Sequence, residues 1–248
     1  HLYPANEPGA VIDRLVSFVD MPRTWLSLAG AKIPDTFQGT VFLGEGIEEE
    51  PAYHLAFRER ADERLDCVRV IRDKRYAYHK NYMPYAPAGQ HLAYLWKAEA
   101  TRAWEQHHRE GKTDVITGRF FEPRVSEEFF DNEKDFDNVH NLIEADEHQE
   151  RIAELKNVLR QRQLELYDSG LLPEQMRGRR AKENGLMIYD MVRDEKLYPL
   201  ATYLDAADLA LARDKSNLDT FVGNLSHDDE GLRWWGIVGL HLLEQEAA

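Results

Sequence analysis

The chain has 248 residues, 43% of them hydrophobic, which suits one large or two small folded domains and excludes a disordered chain. Thirty-one Lys and Arg against 45 Asp and Glu leave a net charge of −14, which argues against a nucleic-acid partner, since phosphate-backbone binding needs clustered cations. Charges interrupt every apolar stretch before the roughly 18 residues a membrane helix needs, and a single cysteine, Cys67, excludes an internal disulfide or a Cys-rich zinc site.

The sequence opens on His1, Leu2, Tyr3 and Pro4, with neither an initiator Met nor the basic and apolar regions of a signal peptide. The start therefore reads as a cut inside a larger protein. Apolar residues recur from Val11 to Ala29, and the later part of 11–30 reads as a helix. Ser17 and Asp20 make a capping box, Pro22 fits only the first turns, and Gly30 is the stop. Pro34 and Gly39 mark a loop. Alternation of Tyr53, Leu55 and Phe57 predicts a strand over 53–58. Two more strands are predicted at 66–72 and 75–81, joined by a tight turn at Asp73 and Lys74, with Tyr76 and Tyr78 on one face. Cys67 reads as a half-buried small hydrophobe in the first of these.

Pro84, Pro87 and Gly89 make 82–89 an irregular loop. Leu92, Leu95, Trp96, Ala100, Ala103 and Trp104 give helical spacing over 91–110, and the Phe pairs around Pro123 predict short extended pieces over 119–130. Residues 147–169 read as a long amphipathic helix with a stripe of Ile152, Leu155, Leu159 and Leu166, stopped by Gly170. Beyond Pro173, Arg177, Gly178, Arg179 and Arg180 read as a basic surface loop. Helices follow at 199–213, 217–225 and 230–244. The last two, joined by a polar turn at 226–229, form one unit of a helical repeat array, which needs further units or the preceding domain to cover it. The sequence ends at Ala248 as this unit closes, so the C-terminus reads as a second cut.

Common catalytic signatures are missing: H-E-x-x-H, C-x-x-C, G-x-S-x-G and G-x-x-x-x-G-K do not occur. Glu45 between Gly44 and Gly46, with Glu48, Glu49 and Glu50 after it, would repel a phosphate. The run 131–142 imitates a calcium loop but has Phe136 where the turn glycine belongs and Leu142 where the bidentate Glu belongs. His107 and His108 are adjacent on a predicted helix, about 100° apart, and do not converge on a metal. The densest cluster of cations begins at Arg58 to Arg64 and continues through Arg69, Arg72, Lys74, Arg75, His79 and Lys80 to Asn81. Arg and Lys there could hold a sulfate or carboxylate, and Asp62 and Glu63 could accept from sugar hydroxyls or an amine. A solvated hairpin with weak surface ion pairs explains the same residues.

Three segments carry a family resemblance. VSFVDMPRTWLSLAGAKIP (16–34), with Gln38 and Gly39 after it, resembles the sulfatase segment "VSlvDlaPTlLdlaGi.iP…qG", except that Arg23 separates the expected Pro and Thr. VRVIRDKRYAYHKNY (68–82) resembles the family hairpin "iRavrdkryKYi.N". EEFFD (127–131) and DFDNVHNL (135–142) resemble "EELYDLenDPdEvnNLa", with Phe136 in place of proline. The segments keep the family's order and span about residues 8 to 175. The cations before the hairpin and Asn81 after it are most similar to heparan N-sulfatase-like and related polysaccharide sulfatases. The tail from 177 is similar to HEAT-type repeats appended to some members.

The resemblance implies an α/β, alkaline-phosphatase-like sulfatase of which this is the C-terminal part. Residues 1–45 would end the catalytic domain, 46–175 would form an antiparallel-sheet subdomain with a packed helix, and 176–248 a helical HEAT-like extension. The formylglycine nucleophile and its calcium would lie in the upstream catalytic domain. Cys67, followed by Val68, lacks the C-x-P-S-R frame of that nucleophile, so no catalytic or metal residue carries over and the chain alone is expected to be inactive. The implied partner is a sulfated glycan, the implied location periplasmic or secreted. Substrate contact would fall to Arg60, Asp62 and Glu63 before the hairpin and to His79 and Asn81 at the end of its second strand. A phosphoesterase or phosphonate hydrolase of the same superfamily, and a non-catalytic scaffold that binds a protein or glycan, remain open readings.

Overall fold

The structure, a computed structural model, describes residues 9–245. Residues 1–4 and Ala248, where the sequence reads as cut, lie outside the described residues.

Four strands form one sheet in chain order: β1 (His54–Ala61), β2 (Arg64–Arg72), β3 (Tyr76–Asn81) and β4 (Glu127–Asp131). Tyr82 N donates to Cys67 O (2.8 Å), Asn81 N to Ser126 O (2.8 Å) and Asn132 N to Arg75 O (2.7 Å), pairings that run antiparallel. The three predicted strands are present. β1 and β2 extend further towards each other than the alternation indicates, so only Asp62 and Glu63 separate them, with Asp62 at φ +49°. By packing, the chain divides into two compact units that do not follow chain order: 1–56, 70–78 and 129–155 in the first; 57–69, 79–128 and 156–248 in the second.

In the first unit, α1 (Met21–Leu28) follows a 3-10 turn at Phe18–Asp20. The predicted capping box is formed: Ser17 Oγ accepts from Val19 N (3.3 Å) and Asp20 Oδ2 from Ser17 N (2.7 Å). Asp20 is buried and also accepts from Thr40 N (2.7 Å), and a Cβ at Gly39 (φ +88°) would lie 2.6 Å from Asp20 Oδ1. The β2–β3 turn closes as the sequence indicates, with Asp73 Oδ1 accepting from the N–H groups of Arg75 and Tyr76, both at 2.6 Å. Ile71, Tyr78, Phe129, Phe130, Ile152 and Leu155 are buried in this unit. The N-terminal apolar run is buried only at Leu15: Val11 is 93% exposed, Phe18 87% and Trp25 53%.

Helix α4 (Gln149–Leu166) contributes to both units. Its buried stripe is Ile152, Leu155, Leu159 and Gln163, not Leu166, because the i+4 step from 159 falls on 163. The helix stops before Tyr167, which takes φ +54°, and Asp168 then caps a short turn through Gly170 N (2.9 Å).

In the second unit, the predicted 91–110 helix is shorter. Residues 95–97 make a 3-10 turn, Ala98 is extended (ψ 128°), and α2 (Glu99–Arg109) buries none of its side chains. Leu92, which begins the helical spacing, is buried outside any helix. Of the extended pieces predicted over 119–130, residues 127–130 belong to β4, while 119–126 are turn and irregular backbone; before them stands a helical turn, α3 (Val115–Gly118), capped when Asp114 Oδ1 accepts from Thr117 N (2.7 Å). Residues 177–180 are not a surface loop: they lie in α5 (Glu174–Glu183), and Arg177 is 7% exposed. After the short α6 (Ile188–Met191), the three predicted helices appear as α7 (Leu200–Leu211), α8 (Leu218–Asn224) and α9 (Glu230–Gln245). α9 packs on both α7 and α8. These helices share one core with Cys67 of β2 and with Tyr82, through Leu171, Leu172, Tyr203, Leu204 and Trp235.

Candidate functional site

The residues that the sequence nominates lie at one end of the sheet in the second unit. Asp62 and Glu63 form the β1–β2 turn, Arg60 precedes it, and His79 and Asn81 stand in the last half of β3, whose antiparallel course ends beside the start of β2. Arg60 Nε donates to Asp62 O (2.7 Å), which ties the left-handed turn residue back to β1. Glu63 Oε1 accepts from Ala93 N (2.8 Å), and this hydrogen bond is the main reason its carboxyl lies below the usual carboxylate range. Asp62 is displaced the other way by its hydrogen bond with Glu63. The exposed turn thus presents two carboxyl groups and Arg60, whose Nη1 also pairs with Glu174 Oε2 (2.6 Å).

Asn81 is placed differently. It is buried, and its Nδ2 donates to Val125 O (2.7 Å) and Glu128 Oε2 (3.0 Å), bracing β3 against the start of β4. His79 is half-buried on the same strand. The structure therefore joins Arg60, Asp62 and Glu63 by direct hydrogen bonds. It sets His79 and Asn81 on the neighbouring strand end, with Asn81 engaged in bracing.

Beside the turn lies a charged network that the surface reading of the cluster missed. Arg69 is almost fully buried and pairs bidentately with Asp168, Nε to Oδ2 at 2.8 Å and Nη2 to Oδ1 at 2.7 Å. Asp168 also accepts from Gln163 Nε2 (2.8 Å) and Gly170 N (2.9 Å). Glu59 lies between Arg69 Nη2 (3.6 Å) and the guanidinium of Arg177, with which it forms an ion pair. Arg177 Nη1 in turn donates to Ser169 Oγ (2.6 Å). Burial pushes the Asp168 carboxyl up, but the Arg69 charge and the hydrogen bonds prevail and hold it below the usual range. A second buried carboxylate, Asp66, pairs with Arg124 (2.6 Å) and Arg58 (3.1 Å). The signal was present in β2: residues 67, 69 and 71 share a face, and an Arg between Cys and Ile on a buried face requires a partner.

Other candidates are committed elsewhere. In the first unit a cleft of about 460 Å³ is lined by Lys74, Arg75 and Arg151 among others. Lys74 is paired with Glu50 (3.1 Å), Arg75 with Asp131 (2.8 Å), and Arg151 with Asp73 and Glu154. Cys67 is fully buried rather than half-buried. Burial pushes its thiol up to about 12, and its Sγ donates to Gly170 O (3.4 Å). Among the described residues no three His, Cys, Asp or Glu side chains converge to hold a metal ion. No described helix is long and apolar enough to cross a membrane.

No family model matches the sequence. An ulvan-active sulfatase of Formosa agariphila is 32% identical over 162 residues, 65% of this chain and 27% of that protein. The chain thus spans about a quarter of the length of the curated relative it matches. Among solved structures, a 2-O GAG sulfatase matches with TM-score 0.42 and 18% identity over 64% of the chain and 27% of its own. A protein solved with its substrate D-glucosamine-2-N,6-O-disulfate matches with TM-score 0.36 and 17% identity over 60% and 24%. Both structural likenesses are too distant to identify a shared fold.

Proposed function

We propose, for a chain of the sulfatase family that resembles the family's C-terminal portion, that it forms one wall of the substrate pocket of an enzyme that hydrolyses sulfate groups on a sulfated glycan. The observation that carries this reading is the 162-residue match to an ulvan-active sulfatase. The nearly bare Val11 and Phe18 and the half-exposed Trp25 support it, because an apolar run of this kind is ordinarily covered by further protein. On this reading the cover is the upstream part of an alkaline-phosphatase-like α/β domain. The formylglycine and calcium would belong to that part and would supply the nucleophile and the Lewis acid. The protein would act outside the cytoplasm, and the helices after 176 would be a HEAT-like extension.

The chain's own work is recognition. The Arg60 guanidinium would donate to a sulfate or carboxylate oxygen of the glycan. Asp62 and Glu63, exposed beside it, would accept from sugar hydroxyls or an amine. His79 would reach the same wall from β3, and Asn81 would hold that strand end in register. The test is sulfate release from a sulfated polysaccharide by the intact protein. Arg60→Ala and Glu63→Ala should each lower kcat/KM about tenfold or more, the scale of a lost hydrogen bond to a charged group. Unchanged kcat/KM in both variants would reject the assignment.

A further inference from the structure

We infer that Glu174 and Arg177 of α5 are positioning residues that hold the β1–β2 turn in its left-handed conformation. The helical segment would then set the geometry of the exposed wall. This inference rests on the reading of that turn as substrate-facing.

The turn is not self-sufficient. Asp62 holds φ +49°, a left-handed conformation that residues with a Cβ rarely adopt. What pins its carbonyl is Arg60 Nε, yet Arg60 is an exposed, long side chain with large rotamer freedom to lose. Glu174 Oε2, 2.6 Å from Arg60 Nη1, supplies the outer anchor that keeps the guanidinium turned back on the turn. The preceding residue, Glu59, is gripped by Arg177 from the same helix, one turn further on. Arg177 is itself buried and fixed by Ser169, and the other Glu59 oxygen faces Arg69, locked by Asp168. Two consecutive strand residues are thus both held by α5, across 114 positions of sequence for Arg60 and Glu174. The partners alternate in sign, Arg177, Glu59, Arg69, Asp168, so the inner anchor is stiff where the outer one is exposed. The shared core around Cys67, Tyr82 and Trp235 keeps the helices from drifting away from β2.

The test combines hydrogen–deuterium exchange of residues 58–66 in this chain with kinetics of the intact protein. Glu174→Gln removes the outer anchor at an exposed position that does not threaten folding, and Arg177→Lys keeps the inner charge but loses the fork. Glu174→Gln should speed exchange at the turn roughly two- to fivefold, the scale of a well-placed exposed ion pair, and leave β3 and α9 unchanged. Glu174→Arg should do the same, whereas Glu174→Asp, which keeps the carboxylate, should retain more of the protection of the turn than Glu174→Gln. In the intact protein, Glu174→Gln should raise KM for the sulfated glycan and leave kcat in place. Unchanged exchange at the turn in both Glu174→Gln and Arg177→Lys overturns the positioning role. Faster exchange with unchanged KM upholds the clamp and overturns the substrate-facing reading of the turn.

Discussion

The buried pair of Arg69 and Asp168 shows at the residue level how a charge in a strand interior is tolerated. The guanidinium is matched by a bidentate carboxylate, and that carboxylate is itself satisfied by Gln163 and Gly170 N. Removing one partner leaves the other charge buried. Asp168→Asn should therefore destabilise the fold by about 3–5 kcal/mol, read as a lower urea midpoint with unchanged slope. The pH dependence has a definite sign. The folded-state pKa of Asp168 is depressed, so its contribution is fully present above the unfolded value near ~3.9 and is lost as pH falls through the folded one. Stability of the parent should decline below about pH 4 more steeply than that of Asp168→Asn. Cys67 gives a second check. A thiol buried with its pKa pushed up to about 12 should stay unmodified by a disulfide reagent at pH 8 and react at once in denaturant. Rapid labelling of the native chain would show that the β2 core opens.

Among the elements, what local rules dictate was legible and what distant partners dictate was not. The Ser17 and Asp20 cap, the Asp73 turn, the three strands and the last three helices follow from capping chemistry and periodicity that act within a few residues. The helix is shorter than the spacing over 91–110 predicts because Leu92 is buried by loop packing rather than by a helix face. The burial of Arg177 is not legible locally, because its partner Glu59 lies 118 positions away, beyond any local pattern. The turn bearing Arg60, Asp62 and Glu63 was found from charge density, whereas the ion network behind it needed the fold. Helix α9 illustrates two local rules in conflict. Gly239→Ala should gain about 1 kcal/mol of helix propensity, but its new Cβ would lie 2.6 Å from the Phe221 ring of α8. Overpacking of a tight helix contact costs about 1–3 kcal/mol, so the net effect should be a lower melting temperature. An increase would mean that Phe221 has room to yield.

For the whole molecule, both units leave large apolar side chains in solvent, Val115 (89%) and Met187 (74%) in the second among them. The second buries a contiguous core from β2 to α9, with every helix after α6 contributing. The first leaves Val11, Phe18 and Trp25 in solvent. The chain on its own should self-associate through that run at micromolar concentration. The pair Phe18→Lys and Trp25→Glu should abolish the association seen by light scattering without lowering the melting temperature. Association that persists in the double variant would place the sticky surface elsewhere.

The central claim is that this polypeptide shapes a glycan pocket whose reactive groups are supplied by further protein. The most direct measurement is inorganic sulfate released from a sulfated polysaccharide, by the 248-residue chain and by the intact protein that contains it. The account predicts no sulfate above background from the chain and steady release from the intact protein. Turnover by the chain alone, or none by the intact protein on any sulfated glycan, would contradict it.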